Sequence, residues 1–74
     1  MKIIVEAALK QEEIITILTE STEVAIRFIG RSSTNKMIME FEAESTEGEK
    51  TVALVKAKVK AAPWGKMVYF IVHQ

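Results

Sequence analysis

Apolar and polar positions change their period several times along this chain, and each change marks a predicted element. From Lys2 to Ala7 they alternate: Ile3, Val5 and Ala7 share one face of a strand, Ile4 and Glu6 the other. From Ala8 to Ser21 the period lengthens. As a helix this segment gathers Ala7, Ala8, Ile14, Ile15 and Leu18 on one broad face, with Gln11 among them, and turns Glu12, Glu13, Thr16, Thr19 and Glu20 away. A competing hairpin would turn at residues 10–13, which hold no Gly, Asn, Asp or Pro, so the helix is preferred. Glu23 to Ile29 alternates again, with Val24, Ile26 and Phe28 opposite Ala25, Arg27 and Ile29. Gly30 to Lys36 is a polar loop. Met37 to Glu44 alternates most cleanly: Met37, Met39, Phe41 and Ala43 oppose Ile38, Glu40, Glu42 and Glu44.

Ser45 to Ala62 decides the fold class. Thr46 and Glu49 match the Thr-x-x-Glu capping box that opens a helix. Val52, Val55, Val59 and Ala62 then form a narrow helical stripe, and Pro63 and Gly65 end it. The rival strand puts Val52 and Leu54 on the same face as Lys56, Lys58 and Lys60, which argues against it. Lys66 to Gln74 is a predicted strand with two apolar faces, Met67, Tyr69 and Ile71 on one and Val68, Phe70 and Val72 on the other. A strand of that kind is expected to be central or covered.

The resulting β-α-β-β-α-β order resembles ferredoxin-like domains, an α+β architecture in which two helices cover one face of an antiparallel sheet. The resemblance is to the architecture alone. The RNA-recognition motif has the same order, but its stacking aromatics would fall where this chain has Glu40, Glu42 and Glu44. The alternative is a mainly-β six-stranded meander or small barrel, with strands near 2–9, 13–19, 23–30, 36–44, 50–60 and 66–73. A shortage of turn residues opposes it: there is no Asp, and only one Asn, one Pro and three Gly. In the ferredoxin-like order the last strand lies at a sheet edge, and an apolar edge invites pairing. A homodimer is therefore expected.

Size narrows the picture further. The 74 residues make one domain, residues 1–74, of a length that buries only about 60–65% of its unfolded surface. No Cys is present to add a disulfide or a thiolate metal site. Packing must suffice, and 49% of the residues are apolar. The apolar start Met1–Val5 is cut short by Glu6, unlike a signal peptide. No run reaches the ~20 apolar residues that a membrane crossing needs. The expected location is cytoplasmic, with no membrane partner.

Charge is divided along the chain. All ten glutamates lie in the first 49 residues, against five bases, and residues 50–74 carry five lysines and no acid, so a net charge of zero conceals a −5/+5 split. Lys50, Lys56, Lys58, Lys60 and Lys66 are candidate contacts for an anion or a nucleic-acid backbone. The competing explanation is that they offset a helix C-terminal dipole and lay their stems over Val and Ala. Trp64, in Pro63-Trp64-Gly65, either caps the core or anchors an interface. With Met67, Tyr69 and Phe70 it forms the candidate interaction set.

No catalytic, cofactor or metal site is expected. His73 is the only histidine, a nucleophile–base–orienter set needs three groups held in geometry, and His73 reads as a solvent-facing strand residue. Glu40, Glu42 and Glu44 repeat about 7 Å apart along a strand, too far for one small cation without other ligands. Gly30–Lys36 has hydroxyls and bases but lacks the phosphate-cradling Gly-x-x-x-x-Gly-Lys-Ser/Thr pattern. The expected function is a non-enzymatic protein-interaction module of adaptor, inhibitor or regulatory-subunit type, self-associating. The alternatives are a nucleic-acid-binding protein using the lysines and a small-ligand-sensing regulatory domain.

Overall fold

The computed structural model describes every residue from Met1 to Gln74. The elements run β1 (Lys2–Ala7), α1 (Gln11–Thr19), β2 (Ile26–Arg31), β3 (Ile38–Ala43), α2 (Gly48–Ala61), a 3-10 turn (Gly65–Met67) and β4 (Phe70–His73). The strands form one sheet in the order β2-β3-β1-β4, with every neighbouring pair antiparallel. The chain is an α+β fold of two helices and one four-stranded antiparallel sheet. The helices at residues 11–19 and 48–61 overturn the six-stranded alternative.

The core forms where the predicted apolar faces meet. Ile3, Val5 and Ala7 of β1 and Met39, Phe41 and Ala43 of β3 are buried, as are Ile14 and Leu18 of α1 and Val55 and Val59 of α2. Ile26 and Val72 complete it from the two outer strands. Phe41 is its largest member, and its ring lies 5.3 Å from that of Phe28, tilted by 55°. Such a pair adds about 0.5–1.5 kcal/mol beyond the area it buries.

Several boundaries differ from the sequence expectation, each for a physical reason. Helix α1 starts at Gln11 rather than Ala8, because the chain must first leave β1 and turn. Lys10 makes that turn in the left-handed region, at φ 61°. Gln11 then holds the junction: its side-chain amide donates to the carbonyls of Ala7 (2.7 Å) and Lys36 (2.8 Å) and accepts from Arg31 Nε (2.8 Å). Strand β2 starts at Ile26, later than Glu23, and runs through Gly30 into the expected loop. A bulge between Phe28 and Gly30 lets it do so, with Gly30 at φ 156°, a conformation that side chains rarely adopt.

The Thr46–Glu49 capping box does not form. Helix α2 begins at Gly48, its N-cap is Glu47, and no side chain caps it. Instead Ser45 Oγ accepts from the Glu47 backbone N–H at 3.1 Å, and the buried Thr51 hydroxyl lies 2.8 Å from the Glu47 carbonyl and 2.9 Å from Ser45 Oγ. Both bonds satisfy the buried Thr51 hydroxyl at the first turn of α2, where the expected Thr46–Glu49 contacts are absent.

Strand β4 is the largest departure. The expected strand over residues 66–74 shrinks to Phe70–His73, because Gly65–Met67 curl into a 3-10 turn. The expectation that both its faces are covered is overturned. Strand β4 is the outermost strand beside β1, and only one face packs on the core. Val72 is 5% exposed, whereas Ile71 is 41% exposed and Tyr69 and Met67 just before the strand are 82% and 84% exposed. The alternation read from sequence separates the two sets correctly; the structure leaves the second set wet.

Candidate functional site

The rim of β4 combines an unpaired backbone edge, exposed apolar side chains and uncompensated lysines. The backbone geometry follows from strand alternation. Ala7 N–H donates to the Met37 carbonyl at 2.9 Å, so Ala7 directs its backbone groups toward β3. Its neighbour Glu6, and Ile4 beyond, therefore direct theirs toward β4, where their partners are Ile71 and His73. That leaves the N–H and C=O groups of Phe70 and Val72 facing away from the sheet, and no other backbone group pairs with them. An open row of donors and acceptors is a template for another strand.

Four of the six exposed large apolar residues, Leu9, Met37, Tyr69 and Ile71, gather at one end of this rim. Leu9 from the β1–α1 loop, Met37 from the β2–β3 loop and Val68, Tyr69 and Ile71 line a cleft of about 170 Å³ with Glu6, Ala7 and Ala8. Sequence reasoning missed Leu9 and Met37. Met37 reads as part of the buried face of a strand, and only its position one residue before β3 exposes it. The predicted interaction residues do not form one patch. Met67 and Tyr69 are exposed at the rim, and Phe70 is half-buried against the core. Trp64 is half-buried against the core and lines a separate cleft with Glu12, Glu13, Thr16 and Ile17 of α1.

The five lysines also divide. Lys50 pairs with Glu47 at 3.4 Å, and Lys58 pairs with Glu23 at 2.9 Å, tying α2 to the segment before β2. The Lys58 ammonium holds the Glu23 carboxyl below the usual range. Lys56, Lys60 and Lys66 have no carboxylate within 4 Å. All three line one cleft of about 560 Å³ with Gly65, Val68, Tyr69 and Phe70, and no acid lines it. The groove continues along the strand as a hollow of about 360 Å³ between Glu49, Val52, Ala53 and Lys56 of α2 and Val72, His73 and Gln74. Along the rim, then, Lys60 and Lys66 stand at the Phe70 end and Glu49 at the Gln74 end.

The other candidates engage in ordinary pairings. His73 Nδ1 lies 2.9 Å from the Gln74 carbonyl and Nε2 3.1 Å from a Glu6 carboxylate oxygen; the carbonyl first, then the carboxylate, raise its pKa above the ordinary imidazole value. Glu40 pairs with Lys2 at 2.9 Å. Glu42 takes the Met1 amino group at 2.6 Å, which lowers its pKa. The Ser32 and Thr34 hydroxyls bond each other at 3.0 Å. No helix is long and apolar enough to cross a membrane. Compared with known protein families, curated proteins and solved structures, the chain matches none.

Proposed function

We propose that the chain is a small non-enzymatic protein-interaction module, of adaptor, inhibitor or regulatory-subunit type, built on a ferredoxin-like framework and acting as a cytoplasmic homodimer joined along β4. The observation that carries this is the rim itself. The backbone groups of Phe70 and Val72 are unpaired beside Tyr69 and Ile71, whose apolar surface faces water. Natural sheets usually blunt such an edge with charge, proline or a bulge. The opposite edge, β2, has its bulge; β4 has neither bulge nor proline, and its one charged-type residue, His73, is occupied by Glu6. Light scattering on a sizing column is expected to give twice the chain mass. Ile71→Lys, which puts a charge on the exposed side of β4, is expected to give the monomer with an unchanged circular dichroism spectrum. A wild-type monomer at the highest attainable concentration overturns the proposal.

A second reading, nucleic-acid binding, has one observation in its favour: Lys56, Lys60 and Lys66 share a cleft without any acid, beside Tyr69 and Phe70. Three phosphate contacts to a single strand give a log affinity that falls against log salt with a slope of about −2. A gel shift with a single-stranded oligonucleotide at low salt measures this, and no shift there removes the reading.

A further inference from the structure

We infer that the two copies pair β4 to β4, antiparallel, about a two-fold axis beside Ile71. This rests on the dimer reading above and specifies its register. The outward-facing residues of β4 are Phe70 and Val72. A two-fold antiparallel pair satisfies both only when Phe70 lies opposite the partner's Val72, and Val72 opposite the partner's Phe70. Each such pair exchanges both of its backbone bonds. Shifting the axis to Phe70 or to Val72 sends one of them beyond the end of the strand, onto residue 68 or 74, neither of which lies within it.

In the chosen register Ile71 meets the partner's Ile71 across a closely spaced pair on the exposed face of the sheet. Tyr69 meets the partner's His73. Ile71 and Tyr69, which the isolated chain leaves wet, are thus covered by the second copy.

The charges along the groove agree with an antiparallel second copy. Lys60 and Lys66 stand at one end, Lys56 lies between, and Glu49 stands at the other end. Rotation by half a turn brings the Lys60 and Lys66 end of each copy to the Glu49 end of its partner. A parallel arrangement would oppose lysine to lysine. Strand β2 is the other free edge of the sheet, but its bulge at Phe28/Gly30 interrupts the flat ladder that pairing needs.

The test uses single cysteines in the full chain, which contains no other cysteine. In a closely spaced antiparallel pair the Cα atoms lie about 4.5 Å apart, within disulfide reach. Ile71→Cys is expected to convert to a disulfide-linked dimer under mild oxidation. Tyr69→Cys, displaced from its copy by four residues along the ladder, is expected to remain uncrosslinked. Light scattering is run on both under reducing conditions. A dimer in which Ile71→Cys fails to crosslink, or Tyr69→Cys crosslinks as well, overturns the register and leaves the dimer standing. A monomer for both variants and for the wild type overturns both. A charge reversal gives an independent readout: Glu49→Lys is expected to weaken the dimer on the order of fivefold, and adding Lys66→Glu in the same chain to restore it. Equal weakening in the double variant overturns the antiparallel arrangement.

Discussion

Replacing Phe41 with alanine is expected to destabilise the domain by about 3–5 kcal/mol. Phe41 is fully buried at the centre of the sheet, in a strand flanked on both sides, and it is the largest completely buried side chain. Truncation removes its transfer free energy, leaves a cavity under both helices and strands the Phe28 ring without its partner at 5.3 Å. A 74-residue chain has roughly 4–11 kcal/mol of total stability to lose. The variant is therefore expected to be largely unfolded at 37 °C, while Phe41→Leu, which keeps most of the volume, should retain the fold at a cost of about 1 kcal/mol. Urea unfolding followed by circular dichroism measures both. A loss below about 1 kcal/mol for alanine would mean that Phe41 does not occupy the core.

Gly65→Ala is expected to cost about 3 kcal/mol for the opposite reason, too much matter rather than too little. Gly65 is buried where the chain folds back under the end of α2. A methyl group there would come within 2.8 Å of Lys60 Cα and of its carbonyl oxygen, and would strike the Val59 carbonyl oxygen harder still. These are backbone atoms of a helix and cannot swing away as a side-chain tip would. Either the 3-10 turn or the last turn of α2 must move. Both carry the lysines of the cleft, so the variant is expected to lose thermal stability and, if the proposed dimer forms, to weaken it. A thermal melt and a sizing column read the two effects separately. An unchanged melting temperature would show that Gly65 is not packed against Val59 and Lys60.

The same two positions show why some of the site was legible in the sequence and some was not. Phe41 could be read as buried because it belongs to the cleanest alternation in the chain, where Glu40 and Glu42 mark the wet face on either side of it. Gly65 could be read only as a stop signal after Pro63, since the backbone that presses on it belongs to residues brought back by the turn. The capping box failed for a related reason. Thr46 and Glu49 had the right spacing, but α2 starts at Gly48 with Glu47 as its N-cap, and the bonds at that end run among Ser45, Glu47 and the buried Thr51, a set that the local pattern does not contain. Among the lysines, sequence identified a basic face. Only folding separated Lys58, paired with Glu23 thirty-five residues earlier, from Lys56, Lys60 and Lys66, which face one cleft without an acid.

Local periodicity, by itself, determined the type and order of the two helices and four strands and which of their faces are apolar, though not where each begins, because those preferences act between neighbours two to four positions apart. It also separated Phe70 and Val72 from Tyr69 and Ile71 on opposite sides of β4. The ferredoxin-like order already put the last strand at a sheet edge, and β4 lies there; tertiary structure alone decided that the face bearing Tyr69 and Ile71 stays uncovered. Sheet order is set by contacts between segments far apart in sequence, and no periodicity within a segment records which side of it will be left facing water.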